Sequence, residues 1–253
     1  MSPTTEWLAQ WEEQRHKLKS FCDLNAYFTE TEIAGKQLAV MNIGPCSIPT
    51  GHVLVRDPLA YLIDRINEPY FQTAPTGTFT AEVCVVTPDE FDCARYAAVR
   101  LRFSDDQAVR FEEALIGNEN IVELEEDQFF GFNVDAGLCS ICDKEVHLAY
   151  CDFNEQWNKD NPGLNIYNEY FAPLFAESYK QHPEYQRDSG DWINWNIPDT
   201  DYHLPMFQSG FGDGAYPVYW GFNDKGDICQ LVVQFIDIAL AYSEDDEEDE
   251  NLD

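Results

Sequence analysis

Residues 215–237, AYPVYWGFNDKGDICQLVVQFID, contain two apolar runs separated by a short polar turn. The runs at 215–222 and 228–237 are rich in the aromatic and β-branched residues that favour strands. Between them, the residues NDKG (223–226) offer turn-forming side chains, and Gly226 can adopt the positive φ that tight hairpin turns require. The stretch therefore predicts a β-hairpin that closes an antiparallel sheet.

Further β-like runs precede this hairpin at 38–42, 52–55, 78–86, 97–103, 131–139 and 146–150. The turn-forming strings GP (44–45), PTG (49–51) and PTG (75–77) separate the earlier runs. Short runs divided by such turns are typical of an antiparallel sheet.

Helices are predicted at three places. Thr5 can cap an N-terminal helix in which Trp7, Leu8, Trp11 and Leu18 fall near a 3.6-residue period. A capping box from Ser104 to Gln107 predicts a short helix over 104–115, and the apolar spacing of 165–179 predicts another. Residues 181–201 lack periodicity and are interpreted as an ordered loop packed by its aromatic residues.

The elements together predict an α+β fold, a predominantly antiparallel β-sheet domain with an N-terminal helix and two or three packing helices. We expect residues 1–30 to form the N-terminal helix packing on the main domain and residues 31–242 to form that single β-rich domain. Residues 243–253, which contain eight acids and no base, are expected to form a disordered acidic tail.

The charge of the chain is strongly negative. Its 253 residues include 47 Asp and Glu against 15 Lys and Arg, for a formal charge of -32, and the part before the tail still carries -24. Such a field repels nucleic acid and anionic membranes and favours a basic protein partner. The sequence does not specify an oligomeric state.

Nine acids and no Lys or Arg lie between residues 111 and 143. This acidic stretch is interpreted as a solvated face, with a docking surface as the alternative. The residues predicted to bind a partner are four acids of the stretch and two exposed-looking tryptophans: Glu123, Glu125, Glu126, Asp127, Trp192 and Trp195.

Eight cysteines would suit disulfides in a secreted protein, but the N-terminus has neither a basic start nor an apolar signal core. No apolar run approaches the roughly 18 residues that span a membrane. We therefore expect reduced cysteines and a cytoplasmic location.

Four soft ligands follow a spacing one residue short of a zinc knuckle, namely Cys139, Cys142, His147 and Cys151. They could bind zinc tetrahedrally. The strand-like alternation of 145–150 and the lack of the basic residues that are typical of nucleic-acid-binding knuckles favour reduced structural cysteines instead.

The string SGFGDG (209–214) places three glycines around one carboxylate. A loop formed by Gly210, Gly212 and Gly214, followed by Tyr216, can approach another group closely. No Lys or Arg lies nearby and a strand follows, so a tight turn capped by Asp213 is favoured over a phosphate site.

Asp57 and Asp135 occupy similar turn or strand-end positions to Asp213. The three could form an acidic cluster that binds Mg²⁺ or Ca²⁺, or each could cap a local turn. No nucleophile elbow, Walker A loop, dinucleotide fingerprint or H-E-x-x-H motif is present. No cofactor is expected, although the acidic cluster and the cysteine set leave a divalent cation or zinc as alternatives.

Five strings occur in an order that resembles one family: GHVLVRDPL (51–59), PTGTF (75–79), AAVRLRFS (97–104), VDAG (134–137) and SGFGDGAYPVY (209–219). The chain is similar to the uncharacterised bacterial family catalogued as domain of unknown function 4241, over about residues 38 to 237. The resemblance implies a compact β-rich α+β domain and carries no known activity.

Three hypotheses of function follow. The first is an acidic interaction protein, an immunity or inhibitor protein that neutralises a basic toxin or nuclease, including by nucleic-acid mimicry. The second is a divalent-metal-dependent hydrolase that uses the Asp cluster, and the third is a housekeeping domain without catalytic activity. The absence of enzyme motifs favours a non-enzymatic function.

Overall fold

The computed structural model describes residues 2–87, 94–125 and 128–243. The helices are α1 (Thr5–Gln14), α2 (Ala26–Thr29), α3 (Lys144–Asp160), α4 (Ala172–Gln181) and α5 (Ile238–Ala241). The strands are β1 (Glu32–Ile33), β2 (Lys36–Ile48), β3 (Val53–Arg56), β4 (Gly77–Thr87), β5 (Arg95–Arg102), β6 (Arg110–Glu113), β7 (Phe132–Val134), β8 (Leu138–Asp143), β9 (Trp192–Asn196), β10 (His203–Gln208), β11 (Gly214–Tyr216), β12 (Val218–Phe222) and β13 (Ile228–Gln234). The predicted acidic tail, apart from Ser243, lies outside the described residues.

A large antiparallel sheet has the strand order β1-β2-β4-β5-β13-β12-β6. A second antiparallel sheet has the order β3-β8-β10-β9, and β7 pairs with β11. The predicted fold class, an α+β domain dominated by antiparallel sheet with an N-terminal helix, is confirmed.

Strand β2 joins the two sheets. Its pairing with β4 shifts register between Asn42 and Gly44, and Gly44 has a φ of +97°. Such a bulge bends a strand, and beyond it β2 lies against β8, β9 and β10. The side-chain Nδ2 of Asn194 on β9 donates to the carbonyls of Ile43 (3.1 Å) and Pro45 (2.7 Å), so the second sheet covers the exposed edge of β2.

The hairpin predicted at 215–237 is confirmed as β12 and β13. Asn223 Oδ1 accepts the backbone N–H groups of Lys225 (3.0 Å) and Asp227 (2.9 Å), and Gly226 has a φ of +86°. The hairpin lies between β5 and the edge strand β6 of the large sheet, and Trp220 on β12 is completely buried.

The far face of the second sheet is covered by α3 and α4. A hydrophobic core there includes Leu54, Val146, Tyr150, Phe175 and Trp195. The helix predicted at 165–179 is present as a π-helical turn, Tyr167–Phe171, that continues into α4.

The N-terminal helix α1 packs through Trp7. The Trp7 indole N–H donates to the Glu119 carbonyl (2.9 Å), and its ring meets Phe71 edge to face. The helix is capped by Thr4, one residue before the predicted Thr5, and Leu18 lies beyond the helix as a buried residue.

The helix predicted at 104–115 is wrong. Ser104 Oγ accepts only the N–H of Asp106 (3.2 Å), and the residues that follow form β6, which pairs with β12 along Arg110–Glu113. Pairing with β12 outweighs the local capping signal, because that strand supplies hydrogen-bond partners as well as burial.

Two further elements differ from the prediction. Residues 146–150 belong to α3, whose N-cap Asp143 accepts the N–H of Glu145 (2.9 Å), and Val146 and Tyr150 form one buried helical stripe. The predicted loop 181–201 contains β9, which pairs with β10. The alternation in 146–150 was too short to determine the period, and the five residues of β9 are too few to give residues 181–201 a clear period.

We predict that Asn194→Ala lowers the free energy of unfolding by about 2 kcal/mol, because it removes the side-chain donor from two carbonyls at the β2 bulge. Urea denaturation measures this loss. Asn196→Ala is the matched control on the same strand, since Asn196 is exposed and donates only to the Tyr202 carbonyl (3.0 Å). Equal losses of unfolding free energy in the two variants would show that the contact at the bulge contributes no more than an exposed hydrogen bond.

Candidate functional site

The three candidate aspartates meet around one turn, residues 135–137. Asp57 Oδ2 accepts the N–H groups of Asp135 (3.0 Å) and Ala136 (2.6 Å). Asp213 Oδ1 accepts the N–H of Gly137 (3.0 Å), and Asp135 Oδ2 accepts the hydroxyl of Tyr61. The carboxylates therefore converge, but through backbone hydrogen bonds rather than towards a shared ligand.

Asp57 is completely buried and its acceptor capacity is filled. Its Oδ1 also accepts the N–H groups of Leu59 (2.8 Å) and Ala60 (3.1 Å), which makes four backbone donors on one carboxylate. No group of three or more His, Cys, Asp or Glu side chains is arranged to hold a metal ion in the part of the chain that the structure describes. Asp57 is a structural cap.

The possible zinc ligands are divided between two environments. Cys139 and Cys142 lie three residues apart on β8, and Cys139 faces the core of the large sheet whereas Cys142 faces the core under α3. On α3, the Cys151 Sγ lies 3.3 Å from His147 Nε2. Burial raises the pKa of all three thiols and lowers the pKa of His147, so the thiol and neutral imidazole forms are favoured.

Every cysteine within the described ranges is a free thiol. Cys93 lies outside these ranges. No helix formed by the described residues is long and apolar enough to cross a membrane.

The glycine string forms a tight turn. Gly210 and Gly212 have φ values of +57° and +101°, and the Gly212 carbonyl accepts the hydroxyls of Ser209 and Tyr216, both at 2.8 Å. A Cβ on Gly210 would lie 2.8 Å from the Cβ of Phe235, so glycine is required by close packing. The Ser209 hydrogen bond closes the turn, and the Tyr216 hydrogen bond holds it against β11.

The interpretation of residues 111–143 as a solvated face needs correction. Glu112, Glu113 and Asp143 are buried, because they hold arginines or backbone N–H groups. Glu119 accepts the N–H groups of three successive residues, 116–118. Among the predicted partner-binding acids, Glu123 and Glu125 are exposed, whereas Glu126 and Asp127 lie outside the described residues.

Trp192 and Trp195 are buried, at 8% and 5% exposure. Trp192 stacks on His182, and the Trp195 indole N–H donates to the Tyr170 hydroxyl (3.3 Å) beneath the helices. This placement corrects the prediction that the two tryptophans are exposed. Because Trp192 and Trp195 are three residues apart, they lie on opposite faces of β9. Both are buried, so the strand is enclosed on both faces.

The exposed apolar side chains that could bind a partner lie elsewhere, around a groove of about 680 Å³. We call this the apolar groove. Its floor is formed by the buried rings of Tyr216, Tyr219 and Phe235. Phe21, Phe129 and Leu240 form its walls and are 56%, 39% and 74% exposed. Exposed apolar patches rimmed by polar residues are typical of interaction sites.

Two of the walls, Leu240 and Phe21, lie next to residues that are fixed by buried contacts or hydrogen bonds. Leu240 lies on α5, where its N–H is capped by Asp237 (3.1 Å) and Ile238 is completely buried. Gln234 Nε2 donates to the thiol of Cys22 (3.3 Å), next to Phe21. The walls are therefore positioned before any partner binds.

Glu113 positions the third wall, which is formed by Phe129. Its Oε1 accepts the N–H groups of Phe130 (2.8 Å) and Gly131 (2.7 Å), directly after Phe129. Burial raises the pKa of Glu113 to about 7, and the two N–H donors and the charge of Glu119 have smaller effects. Glu113 also pairs with Tyr219 across the sheet, so one side chain connects the floor and the wall.

Carboxylates dominate the surroundings of the groove. Asp237 lines it, and no Lys or Arg does so among the described residues. Glu125 is tied to Gln128 by side-chain and backbone hydrogen bonds immediately before Phe129. The eight acids of 244–253 follow Leu240 closely in the sequence.

The arginine side chains of the protein make contacts with other residues of the chain. Every arginine has a partner, as follows: Arg15 with Glu12 and Glu112, Arg56 with Asn67, Arg65 with Asp152 and Glu155, Arg95 with Phe211, Arg100 with Glu82, Arg102 with Asp105, Arg110 with Glu112, and Arg187 with Asp191. The excess of exposed acids therefore determines the external field.

Fold and groove together define a β-rich α+β protein with a preformed apolar groove in a strongly acidic surface. Residues 46–233 match the family model described as "Protein of unknown function (DUF4241)", and the chain belongs to this family. No curated protein and no solved structure matches the chain. The matched region contains the floor residues Tyr216 and Tyr219 and the wall residue Phe129, whereas Phe21 and Leu240 lie outside it.

We predict that Asp57→Asn lowers the free energy of unfolding by about 3 kcal/mol, because an amide N–H₂ would replace one acceptor oxygen opposite two backbone donors. Chemical denaturation tests this, with Asp213→Asn as the control because Asp213 is exposed and accepts one N–H. If Asp57→Asn were as stable as the control variant, the assignment of Asp57 as a cap would be wrong.

A pH dependence follows from Glu113. Its pKa in the folded protein, about 7, is above the ordinary value of 4.5, so the folded state binds more protons between these values. The stabilisation is fully present below pH 4.5 and is lost as the pH rises through 7. Relative to Glu113→Gln, the wild type should lose about 1.4 kcal/mol per pH unit between about pH 5 and 7.

Urea denaturation at several pH values measures this difference. Glu123→Gln, at an exposed position, serves as the control and should follow the wild type. A pH-independent difference between wild type and Glu113→Gln would contradict the prediction.

Proposed function

We propose that this protein binds a basic protein partner at the apolar groove, as an immunity or inhibitor protein that neutralises a basic toxin or nuclease. The observation that carries the proposal is a groove walled by three exposed side chains, Phe21, Phe129 and Leu240, on a chain of charge -32. The described residues contribute no Lys or Arg to its lining. The groove can bind an apolar side chain of the partner, and the negative charge around it attracts the partner's basic residues.

Anchoring requires pockets that exclude water. Hot spots of protein interfaces are large side chains packed into desolvated pockets, surrounded by polar contacts of smaller effect. The aromatic floor below the three walls fits this pattern, and an apolar side chain of the partner can bury surface on both.

Attraction depends on charge outside the groove. Because the arginines are held by internal partners, Lys and Arg side chains of a partner would meet Asp237, which lines the groove, and exposed acids elsewhere on the surface such as Glu125. Complementary charge accelerates association and selects against acidic partners. The partner chemistry that fits is therefore an apolar side chain flanked by basic residues.

The apolar groove also favours one form of inhibition over another. Nucleic-acid mimicry requires a surface of regularly placed charges, whereas three apolar walls favour a complex anchored by side chains. We therefore place direct capture of a basic protein ahead of pure mimicry.

The two other hypotheses have less support. A metal-dependent hydrolase would use Asp57, whose oxygens are filled by four backbone donors. A housekeeping domain without a partner gives no reason for three exposed walls around an aromatic floor.

We predict that the double variant Phe21→Ser, Leu240→Ser weakens partner binding at least about tenfold, because it removes two of the three apolar walls. The tagged wild type is used to capture a basic protein from the native host at about 50 mM NaCl. Calorimetry with the purified partner then compares the variants. Binding should weaken at about 500 mM NaCl, since screening acts on the rim charges.

Ile66→Ser is the matched control, because Ile66 is 80% exposed and does not line the groove. Truncation after Ser243 should preserve binding, since the remaining chain carries -24. The proposal fails if the wild type captures no basic protein, or if the double variant binds the captured protein as tightly as the wild type does.

A further inference from the structure

Strand β9 is an edge strand of the second sheet, and it lies beside α4. A groove of about 260 Å³ runs between the two elements, and we call it the β9 groove. One side is formed by the consecutive residues 192–196 of β9. The other side is a single stripe along α4 and its C-cap, with the residues Leu174, Glu177, Ser178, Gln181 and His182.

The backbone groups of β9 point alternately towards β10 and away from it. Gln208 donates its N–H to the Asp191 carbonyl (2.8 Å), and Ile197 donates its N–H to the Tyr202 carbonyl (3.0 Å). Residues 191 and 197 therefore face β10, and so do 193 and 195, because the direction of these groups alternates along a strand. The N–H and C=O groups of residues 192, 194 and 196 point away from the sheet.

Two residues of this outer edge have unused backbone groups. The N–H of Trp192 is accepted by Gln186 Oε1 (3.3 Å). The N–H and C=O groups of Asn194 and Asn196 form no hydrogen bond with any residue that the structure describes. Both asparagines line the β9 groove, and neither is buried. The edge of β9 thus presents donors and acceptors in the alternate arrangement that an added strand requires.

Strand β2 does not occupy this edge. It meets β9 on one face of the second sheet, where the Asn194 side chain donates to the carbonyls of Ile43 and Pro45. The ladder of β9 is formed with β10 alone among the described strands, and no residue of β2 lines the β9 groove. The edge therefore remains open towards α4.

Apolar side chains line the β9 groove on both sides. Leu174 on α4 is 37% exposed, and Ile193 and Trp195 point to the face of β9 that the helices cover. At the C-terminal end of α4, the ring of His182 stacks on Trp192 with the ring centroids 5.3 Å apart. An added strand would point every second side chain towards this face. Apolar residues at alternate positions could therefore bury surface against α4.

The charge around the β9 groove favours a basic occupant. Among the described residues, the lining includes the carboxylate of Glu177 and no Lys or Arg. The Nζ of Lys180 lies 3.5 Å from Glu177, but Lys180 is 70% exposed and its charge is screened by water. The whole chain carries -32, which attracts basic segments and opposes the pairing of β9 with a second copy.

We propose that β9 binds an extended basic segment of a partner protein, which joins the four-stranded second sheet as a fifth strand and lies between β9 and α4. Backbone hydrogen bonds to Asn194 and Asn196 supply affinity. The groove beside them selects a segment in which apolar and basic side chains alternate. The β9 groove and the apolar groove share no lining residue, so this inference does not depend on the proposed function.

Three blocked seven-residue peptides test the proposal on the full chain. Each alternates lysine with valine, leucine or phenylalanine, and a matched peptide carries glutamate in place of lysine. Two-dimensional NMR at up to about 1 mM peptide and about 50 mM NaCl detects sub-millimolar dissociation constants. We expect at least one lysine peptide to bind and to slow amide hydrogen exchange at Asn194 and Asn196, and its glutamate counterpart not to bind.

Backbone methylation of the peptide that binds tests the mode of binding. In an added strand, only alternate N–H groups face β9. N-methylation at the even positions and N-methylation at the odd positions should therefore differ. One pattern should weaken binding at least about tenfold, and the other should have a smaller effect.

Two variants locate the binding. Asn196→Pro removes an outward N–H and leaves the pairing with β10, so it should weaken binding at least about tenfold, whereas Asn196→Ala keeps the N–H and should bind as the wild type does. Leu174→Lys should also weaken binding, and Leu164→Lys, an exposed position outside the β9 groove, should not. The Phe21→Ser, Leu240→Ser variant should bind the peptide with unchanged affinity, which separates this site from the apolar groove.

Thermal denaturation checks that each variant folds, and Leu174→Lys decides the question if Asn196→Pro does not fold. The proposal is wrong if no lysine peptide binds, if the glutamate peptides bind equally well, or if the two methylation patterns have equal effects. Wild-type affinity in the folded variants would also overturn it. A dimer of the full chain that Asn196→Pro dissociates in sedimentation experiments would assign the edge to a second copy instead.

Discussion

The bend of β2 at Gly44 is the constraint on which the remaining architecture depends. Strand β2 stays paired with β4 on both sides of the bulge, and it also lies against β8, β9 and β10 of the second sheet. Asn194 maintains the arrangement by donating to the carbonyls on either side of the bulge. Strands β8 and β10 are thereby placed so that the turn at 135–137, before β8, meets the glycine turn at 209–214, after β10.

Buried carboxylates accept hydrogen bonds from backbone N–H groups that this architecture leaves without partners in the strand ladders. Where two sheets meet, loops and turns leave backbone N–H groups without ladder partners, and buried donors must be satisfied. Asp57, Glu113 and Asp143 accept such groups, and Asp191 accepts both a backbone N–H and a guanidinium. The acids of this chain thus form two populations, one inside the fold and one that generates the external field, and composition alone does not separate them.

Local signals explain which elements could be predicted. The hairpin at 223–226 was predictable because Asn223 and Gly226 act within the turn itself. The strand β6 was not, because its pairing with β12 is a contact between distant segments that overrides a capping box. The sequence raised Asp57, Asp135 and Asp213 as a shared cation site or as separate caps, and the role of Asp57 and Asp213 as backbone acceptors depends on contacts between distant segments. The groove walls come from three separate segments, and an exposed Phe or Leu has no sequence pattern of its own.

The apolar groove lies only partly within the residues that match the family model. The floor rings Tyr216 and Tyr219 lie within the shared region, whereas Phe21 and Leu240 are supplied by segments on either side of it. Substitutions at Phe21 or Leu240 would therefore change the walls of the groove and leave its aromatic floor in place. The floor belongs to the part of the chain that the family model covers, whereas two of the three walls depend on the segments that surround it.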